Sequence, residues 1–569
     1  MVNIPLIDDK LALRLVGFVR DEEGYVDNVG TGVKNSDRIV DKGGRVALRW
    51  LVNDRLKADF MLLYQDSQPE DSVLVGPDRA PDTRSSWKPE YADAEVTNYN
   101  VTLQYDFDFA TLTSSTNLSD VNALNENDLS SIFTPKRFDW GWHNTVTDDV
   151  FVQELRLVSH TDSKLDWIVG AYLSDRKTDV NEEHHTTQEY LDSRGITFSN
   201  PVLLASTRNT FISNQREKTD EEKAIFAELG YQISDTLKAT LGLRRGSTQS
   251  ADTLFAGGSQ SGTYFSVGVF GDGNAVIDSP PNIFAEFNTG KQNYTTTKLS
   301  LAWQPQENLN FFALVAEGYR GGTVNPLASL RGGVSAIDPT DIIIPPNAKQ
   351  DTLWNYEVGM KARWLEGTVM TNVSAYYIPW EDIQLGSQRL SDGAFFITNI
   401  GQAISKGLEI EILASPHDAW DLGLNLTFQD AKVTKITAIE AAISGAVNGA
   451  DLSSPDFQAS GFIQYTKQLD NNQHFYVRTD IQVQGDYINS LPNVAGQPGV
   501  PYPNAARSDQ YENVNISAAW VTEKWTATLY GENVLDNDDY IYIYPQTFLT
   551  DRHSTLRPAT WGLRLAVDL

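Results

Sequence analysis

The last nine residues constrain the fold of this chain more than any other stretch. Trp561, Leu563, Leu565, Val567 and Leu569 share one side of an extended backbone, and Gly562, Arg564, Ala566 and Asp568 share the other. The first set is apolar; the second is small or charged. A strand ending a soluble domain rarely needs a clean apolar stripe up to its terminus. A strand that closes a membrane barrel does, because one face meets lipid and the other an aqueous lumen.

Composition agrees. Among 569 residues no apolar run is long enough for a spanning helix, so a helical membrane protein is excluded. A barrel is compatible with the mean hydropathy of −0.34, since alternation keeps the average low. The absence of cysteine suits a protein that crosses an oxidising periplasm, and equally a cytosolic one. A net charge of −30 argues against nucleic acid as a partner. Met1 is followed at once by Val2-Asn3-Ile4-Pro5-Leu6, with neither a basic nor an apolar leader region, so no signal peptide is read.

Alternating segments come in pairs joined by tight turns, as at Ile7-Asp8-Asp9, Asn53-Asp54-Arg55, Ser234-Asp235-Thr236, Ser415-Pro416-His417-Asp418 and Thr522-Glu523-Lys524. Long polar loops separate the pairs, at 20–43, 65–97, 115–147, 177–219, 247–290, 321–348, 430–455, 486–509 and 536–556. Short turns on one side and long loops on the other predict an all-β fold, a large antiparallel transmembrane β-barrel. About twenty full strands are legible, plus a stub at residues 2–6.

Phe475, Val477, Thr479, Ile481 and Val483 alternate with Tyr476, Arg478, Asp480, Gln482 and Gln484. Arg and Asp on such a strand belong in a watery lumen, where desolvation costs nothing. Trp50, Tyr64, Trp303, Trp364, Tyr377 and Trp520 gather near strand ends and suit two interfacial girdles. A β-propeller would show a self-similar block, and none is seen.

Several segments resemble the barrel half of TonB-dependent outer-membrane receptors. They include Gln153-Glu154-Leu155-Arg156-Leu157, Gly318-Tyr319-Arg320-Gly321-Gly322-Thr323-Val324-Asn325-Pro326, Tyr356-Glu357-Val358-Gly359-Met360-Lys361, Gly531-Glu532-Asn533-Val534-Leu535-Asp536 and Arg557-Pro558-Ala559-Thr560-Trp561-Gly562. Each is weak alone; in this order, across nearly the whole chain, they are specific. The resemblance implies a barrel of 22 strands in the bacterial outer membrane, filled by a plug domain. It implies uptake of a scarce nutrient, most commonly a ferric siderophore or similar metal chelate, driven by the TonB complex acting on the plug. Lipid and lipopolysaccharide are the implied surroundings. No cofactor is expected.

Against that family pattern, residues 1–569 read as barrel domain alone, with the plug and first barrel strand absent and 20 or 21 strands present. A TonB contact is then expected only through a plug that this sequence lacks. The alternative is a plugless pore or a barrel scaffold filled by a partner. The unpaired edges would need another chain or a smaller barrel. The final Leu569 replaces the Phe common at the end of such barrels, which is expected to weaken assembly at most.

Candidate ligand residues follow from position. Tyr319 and Arg320 sit at an extracellular strand end and suit either a catecholate-like or anionic ligand, or a strand exit whose Arg pairs with an acidic wall residue, the commoner case. Trp380 is read first as an interfacial anchor and second as a vestibule aromatic. Trp140 and Trp142 form an exposed loop cluster, a hint of ligand or partner contact. Glu182-Glu183-His184-His185 is the one dense metal-like cluster, but adjacent residues on an extended chain face opposite ways. Asp536-Asn537-Asp538-Asp539 lacks the glycine and distal glutamate of a calcium loop. Neither a nucleophile elbow nor a zinc-protease helix nor a phosphate loop is present, so an enzyme is not expected; an outer-membrane hydrolase built from Ser, His and Asp on different strands is the weakest alternative.

Overall fold

The structure is a computed structural model of the 569-residue chain. It describes all residues except 77–81, 131–138, 161–162, 196, 199–209, 259–275, 278–282, 327–329, 336–337, 390, 392–393, 470–471, 498, 503–504, 545–551 and 569. The predicted weakening by Leu569 concerns a residue outside that set.

One antiparallel sheet of 22 strands makes the body of the protein. Its first strands are β1 (Val2–Ile7), β2 (Leu11–Glu22), β3 (Ile39–Asn53), β4 (Leu56–Pro69), β5 (Tyr91–Asp106), β6 (Ala110–Asp128), β7 (Gly141–Ser159) and β8 (Leu165–His185). Next come β9 (Thr210–Ser234), β10 (Leu237–Gly258), β11 (Ile283–Asn288), β12 (Gln292–Gln306), β13 (Leu309–Arg320), β14 (Asp351–Trp364) and β15 (Val369–Gln388). The rest are β16 (Phe395–His417), β17 (Trp420–Lys435), β18 (Phe457–Gln468), β19 (His474–Gln484), β20 (Tyr511–Val521), β21 (Trp525–Glu532) and β22 (Thr560–Val567).

With one exception each strand pairs with the next in sequence, so the sheet is an up-and-down run. β11 and β12 both pair with β10, at its upper and lower parts, and together fill one place in that run. The stub expected at 2–6 is β1, laddered to β2 from Val2↔Leu15 to Ile7↔Leu11. Among the described residues no ladder joins β22 to β1. The circle is drawn together at the long-loop end, where the chain entering β22 meets the first loops. There Arg557 reaches Glu22 at 3.3 Å, and Val75 and His553 exchange backbone hydrogen bonds of 2.8 and 3.0 Å.

The two faces meet two solvents. Ile225, Leu229, Leu241, Leu243, Leu299 and Leu301 on adjacent strands all point outward, with Ile225 66% exposed. Their ladder partners hold every backbone donor and acceptor, which is what permits the strands to stand in hydrocarbon. Outward aromatics bracket that band. Trp50, Tyr231, Trp303, Trp364, Trp420 and Trp520 lie near the short turns, and Phe18, Tyr64, Tyr356, Tyr377 and Trp561 near the other edge. In β19, Phe475, Val477 and Ile481 are exposed, while Arg478 is bonded to Asp480 at 2.6 Å on the inner face. The short turns use residues that tolerate left-handed backbone: Asp9 has φ 56° and Asn472 φ 55°.

The strands run well past the outer girdle. β6 extends to Asp128, β7 begins at Gly141 and β8 ends at His185, so much of the predicted loops 115–147 and 177–219 is strand. Above the membrane both faces are polar, and the alternation that marks a strand vanishes although the ladder continues.

Candidate functional site

Tyr319 ends up in an inner-wall cluster at the top of the barrel. Its hydroxyl donates to Glu222 Oε1 at 2.9 Å, and its ring stacks on Tyr294 with centroids 3.6 Å apart. Arg244 donates to the same carboxylate oxygen at 2.7 Å and lies 5.0 Å from the Tyr172 ring centre. Strands β8, β9, β10, β12 and β13 each contribute one of these groups. Their ladders place Glu222 opposite Thr248 and Tyr294 opposite Gly246, two rungs apart. Glu222 and Arg244 were not singled out in the sequence, where they are ordinary wall charges.

Arg320 is paired with Asp351 and also donates to the carbonyl oxygen of Gln384 at 2.7 Å. The acidic wall partner is thus present. Trp380 lies with its ring centre 5.2 Å from the Arg320 guanidinium. Ladder parity gives its side: Tyr356 and Tyr377 face each other and point outward, and Leu353↔Trp380 is three rungs on, hence on the inner face. Of the two readings, Trp380 takes the vestibule side and not the interfacial belt.

Trp140 and Trp142 do not form an exposed cluster. Trp140 is 5% exposed and its indole N–H donates to His184 Nδ1 at 2.8 Å. Trp142 is on strand β7, opposite His184. The segment pairs with strands on both sides, which buries what a free loop would expose. His184 and His185 face opposite ways as the extended backbone requires: His184 meets Glu182 at 3.1 Å, and His185 meets Glu126 at 3.4 Å. Glu126 also holds His143 at 2.7 Å. Among the described residues no three His, Cys, Asp or Glu groups are arranged to hold a metal ion. In the 536–539 run, Asn537 accepts from the Asp539 amide at 2.8 Å within its own turn, and Asp536 accepts from the Ala559 amide at 2.9 Å, tying the turn to the chain that enters β22.

The long loops pack into a cap. Helix α1 (Gln188–Arg194) is capped by Thr187, whose hydroxyl donates to Asp139 at 2.6 Å. Burial alone would raise the Asp139 carboxyl, but Lys88 at 2.8 Å and the Thr187 hydroxyl and amide hold it below the usual carboxylate range. Burial, with Asp37 nearby, pushes the Tyr25 phenol in the first loop up to about 12. Helix α2 (Ala438–Ser444) carries a full capping box, Thr437 with Glu440, and stands over the upper parts of β15 and β16. Below it Ile383, Ile400, Ala403, Val433, Ala446 and Ala450 form a small apolar core. Arg389, 1% exposed, donates to the carbonyl oxygens of Gly333 at 2.6 Å and Ile342 at 2.7 Å, tying the β15–β16 tip to the loop after β13.

Where this cap meets the 486–508 loop there is a cavity of about 400 Å³. Phe395, Tyr502, Tyr542 and Tyr544 supply its aromatic wall, and Ser490 and Asp451 its polar edge. None of these residues was singled out in the sequence. They come from four separate loops, and no local spacing links them.

A sheet with short turns, an outward apolar band and a folded cap of long loops defines a transmembrane β-barrel. Residues 35–534 match the family model described as "TonB dependent receptor-like, beta-barrel", and the chain belongs to that family. The same architecture recurs in solved structures at low identity. The ferric yersiniabactin uptake receptor FyuA from Yersinia pestis is similar with a TM-score of 0.74 and 16% identity, over 100% of this chain and 77% of that one. The ferric-catecholate import receptor Fiu from E. coli K12 gives 0.70 and 14%, over 99% and 78%. The siderophore receptor PiuA from Acinetobacter baumannii gives 0.70 and 13%, over 99% and 78%. At these identities the likeness concerns the fold alone; membership of the family places the chain in the bacterial outer membrane. The family consists of transport receptors.

Proposed function

We propose that the barrel serves TonB-dependent uptake of a scarce nutrient, a ferric siderophore or a similar metal chelate. The observation that carries this is the folded cap of long loops above a polar-lined barrel, in a family of transport receptors. A passive pore has no need of loops locked together by a buried Arg389 and a capped helix. The similar structures, a ferric yersiniabactin uptake receptor and a ferric-catecholate import receptor, favour an iron chelate. On this reading residues 1–569 work as a barrel domain whose outer face meets lipid and lipopolysaccharide. Tyr319, Arg320 and Trp380, at the upper ends of β13 and β15, are candidate ligand contacts along the path.

The test is uptake of radioactive iron supplied as a panel of chelates to cells with and without the gene. Loss of import of one chelate, restored by the gene in trans, is the expected result. Unchanged import of every chelate overturns the reading.

A further inference from the structure

The cavity at the cap has a chemistry of its own. Of its described lining side chains none is Lys or Arg, and the one charged among them, Asp451, is already paired with Arg507 at 3.0 Å. Arg507 is itself shared with Asp486 at 2.8 Å and is no part of the wall. An anion entering here would lose its hydration without meeting a counter-charge. The aromatic wall offers ring faces instead. Phe395 is 65% exposed, and Tyr542 and Tyr544 stand edge to face 6.4 Å apart. Ser490 Oγ lines the cavity, buried and without a hydrogen-bond partner among the described residues. A buried hydroxyl left unpaired costs free energy that a hydrogen-bonding ligand would recover. The volume matches one or two rings, at the small end of ordinary ligand pockets.

We propose that this cavity seats an uncharged aromatic group bearing a hydroxyl or amide, stacked on Phe395 and the tyrosines and hydrogen-bonded to Ser490. The inference deepens the uptake reading and rests on it: the imported chelate presents a charge-neutral aromatic face to the cap, and not an anionic one.

Two fragments that share a ring and differ in charge test it. Salicylamide is neutral at about pH 6 and salicylate is ionised. Binding to the purified full chain in detergent is measured by saturation-transfer NMR and titration. Salicylamide is expected to bind, with salicylate about tenfold weaker or undetectable. Phe395→Ala removes an exposed wall and leaves the fold intact, so salicylamide binding should fall about tenfold. Phe395→Lys places a cation at the same wall and should reverse the preference. Equal or stronger binding of salicylate to the wild type, no binding of either fragment, or wild-type binding by both variants overturns the proposal. Chelate uptake is followed in parallel. Cells that import a ferric chelate while the protein ignores both fragments refute the cavity assignment alone. Cells that import none refute the uptake reading itself.

Discussion

Arg552 Nη2 lies 2.9 Å from Glu90 Oε1, across 462 positions of the chain. The pair joins the last long loop to the second one, so the end of the sheet is held to its beginning outside the membrane. Glu90 also takes Arg84, which in turn holds Asp71, and Glu90 Oε1 accepts from the Asp128 amide at 2.9 Å. With Glu90 only 2% exposed, the network replaces hydration with fixed partners.

Glu90→Ala leaves two arginines facing each other without their shared carboxylate. Removing one partner of a buried pair costs about 3–5 kcal/mol. The midpoint of urea unfolding in detergent should fall accordingly, and Arg552→Ala should fall less, because Glu90 keeps Arg84. Equal midpoints for Glu90→Ala and wild type would contradict this.

Asp139 makes the anchoring of α1 sensitive to acid. Its carboxyl is held below the usual range in the folded protein, so the stabilisation is fully present above the ordinary carboxylate value. It is lost as pH falls through the lower folded value. The protection factors of the amides at residues 187–195, exchange rates divided out for their intrinsic pH dependence, should therefore be unchanged from pH 7 to about 5 and fall below about 4. Asp139→Asn should exchange fast throughout and lose that acid dependence.

Arg320 and Asp351 separate a structural role from a ligand role. The Asp351 side chain is fully buried, and it also accepts from the Gln384 amide at 2.8 Å. Arg320→Ala removes a charge-assisted bond worth about 1.5–3 kcal/mol. If Arg320 only closes the wall, stability falls and the chelate concentration giving half-maximal uptake stays put. A rise in that concentration with an unchanged unfolding midpoint would show that Arg320 contacts the ligand.

The two faces of the wall should answer differently to the same charge. Leu243→Arg puts a cation into the lipid band at a cost of about 2–4 kcal/mol. Thr296 neighbours Thr297, the ladder partner of Leu243, but faces the lumen beside Lys298, whose ammonium lies 3.0 Å from Glu228. Thr296→Lys should cost far less. Folding yields in detergent or lipid vesicles, read by resistance to heat dissociation, distinguish the two.

The period-two stripe of Trp561 to Val567, the alternation of Phe475 to Gln484 and the turn at Asp9 were legible because they are local consequences of one physical fact. Each strand stands between lipid and water, and successive side chains sort accordingly. The same stripe, read along the chain, gave about twenty strands and a stub against the 22 of the sheet. Above the outer girdle both faces meet water, so the sequence carries no mark there. The ends of β7 and β8 passed for loops, and Trp140 for an exposed ring. The Arg320 partner was foreseen as a type of residue, but only the ladder identified it as Asp351. Arg389 under its carbonyls, Phe395 beside Tyr542, and Arg552 on Glu90 depend on loops hundreds of residues apart meeting over the barrel mouth. Such contacts are selected by packing and charge neutralisation in three dimensions, and no spacing along the chain encodes them.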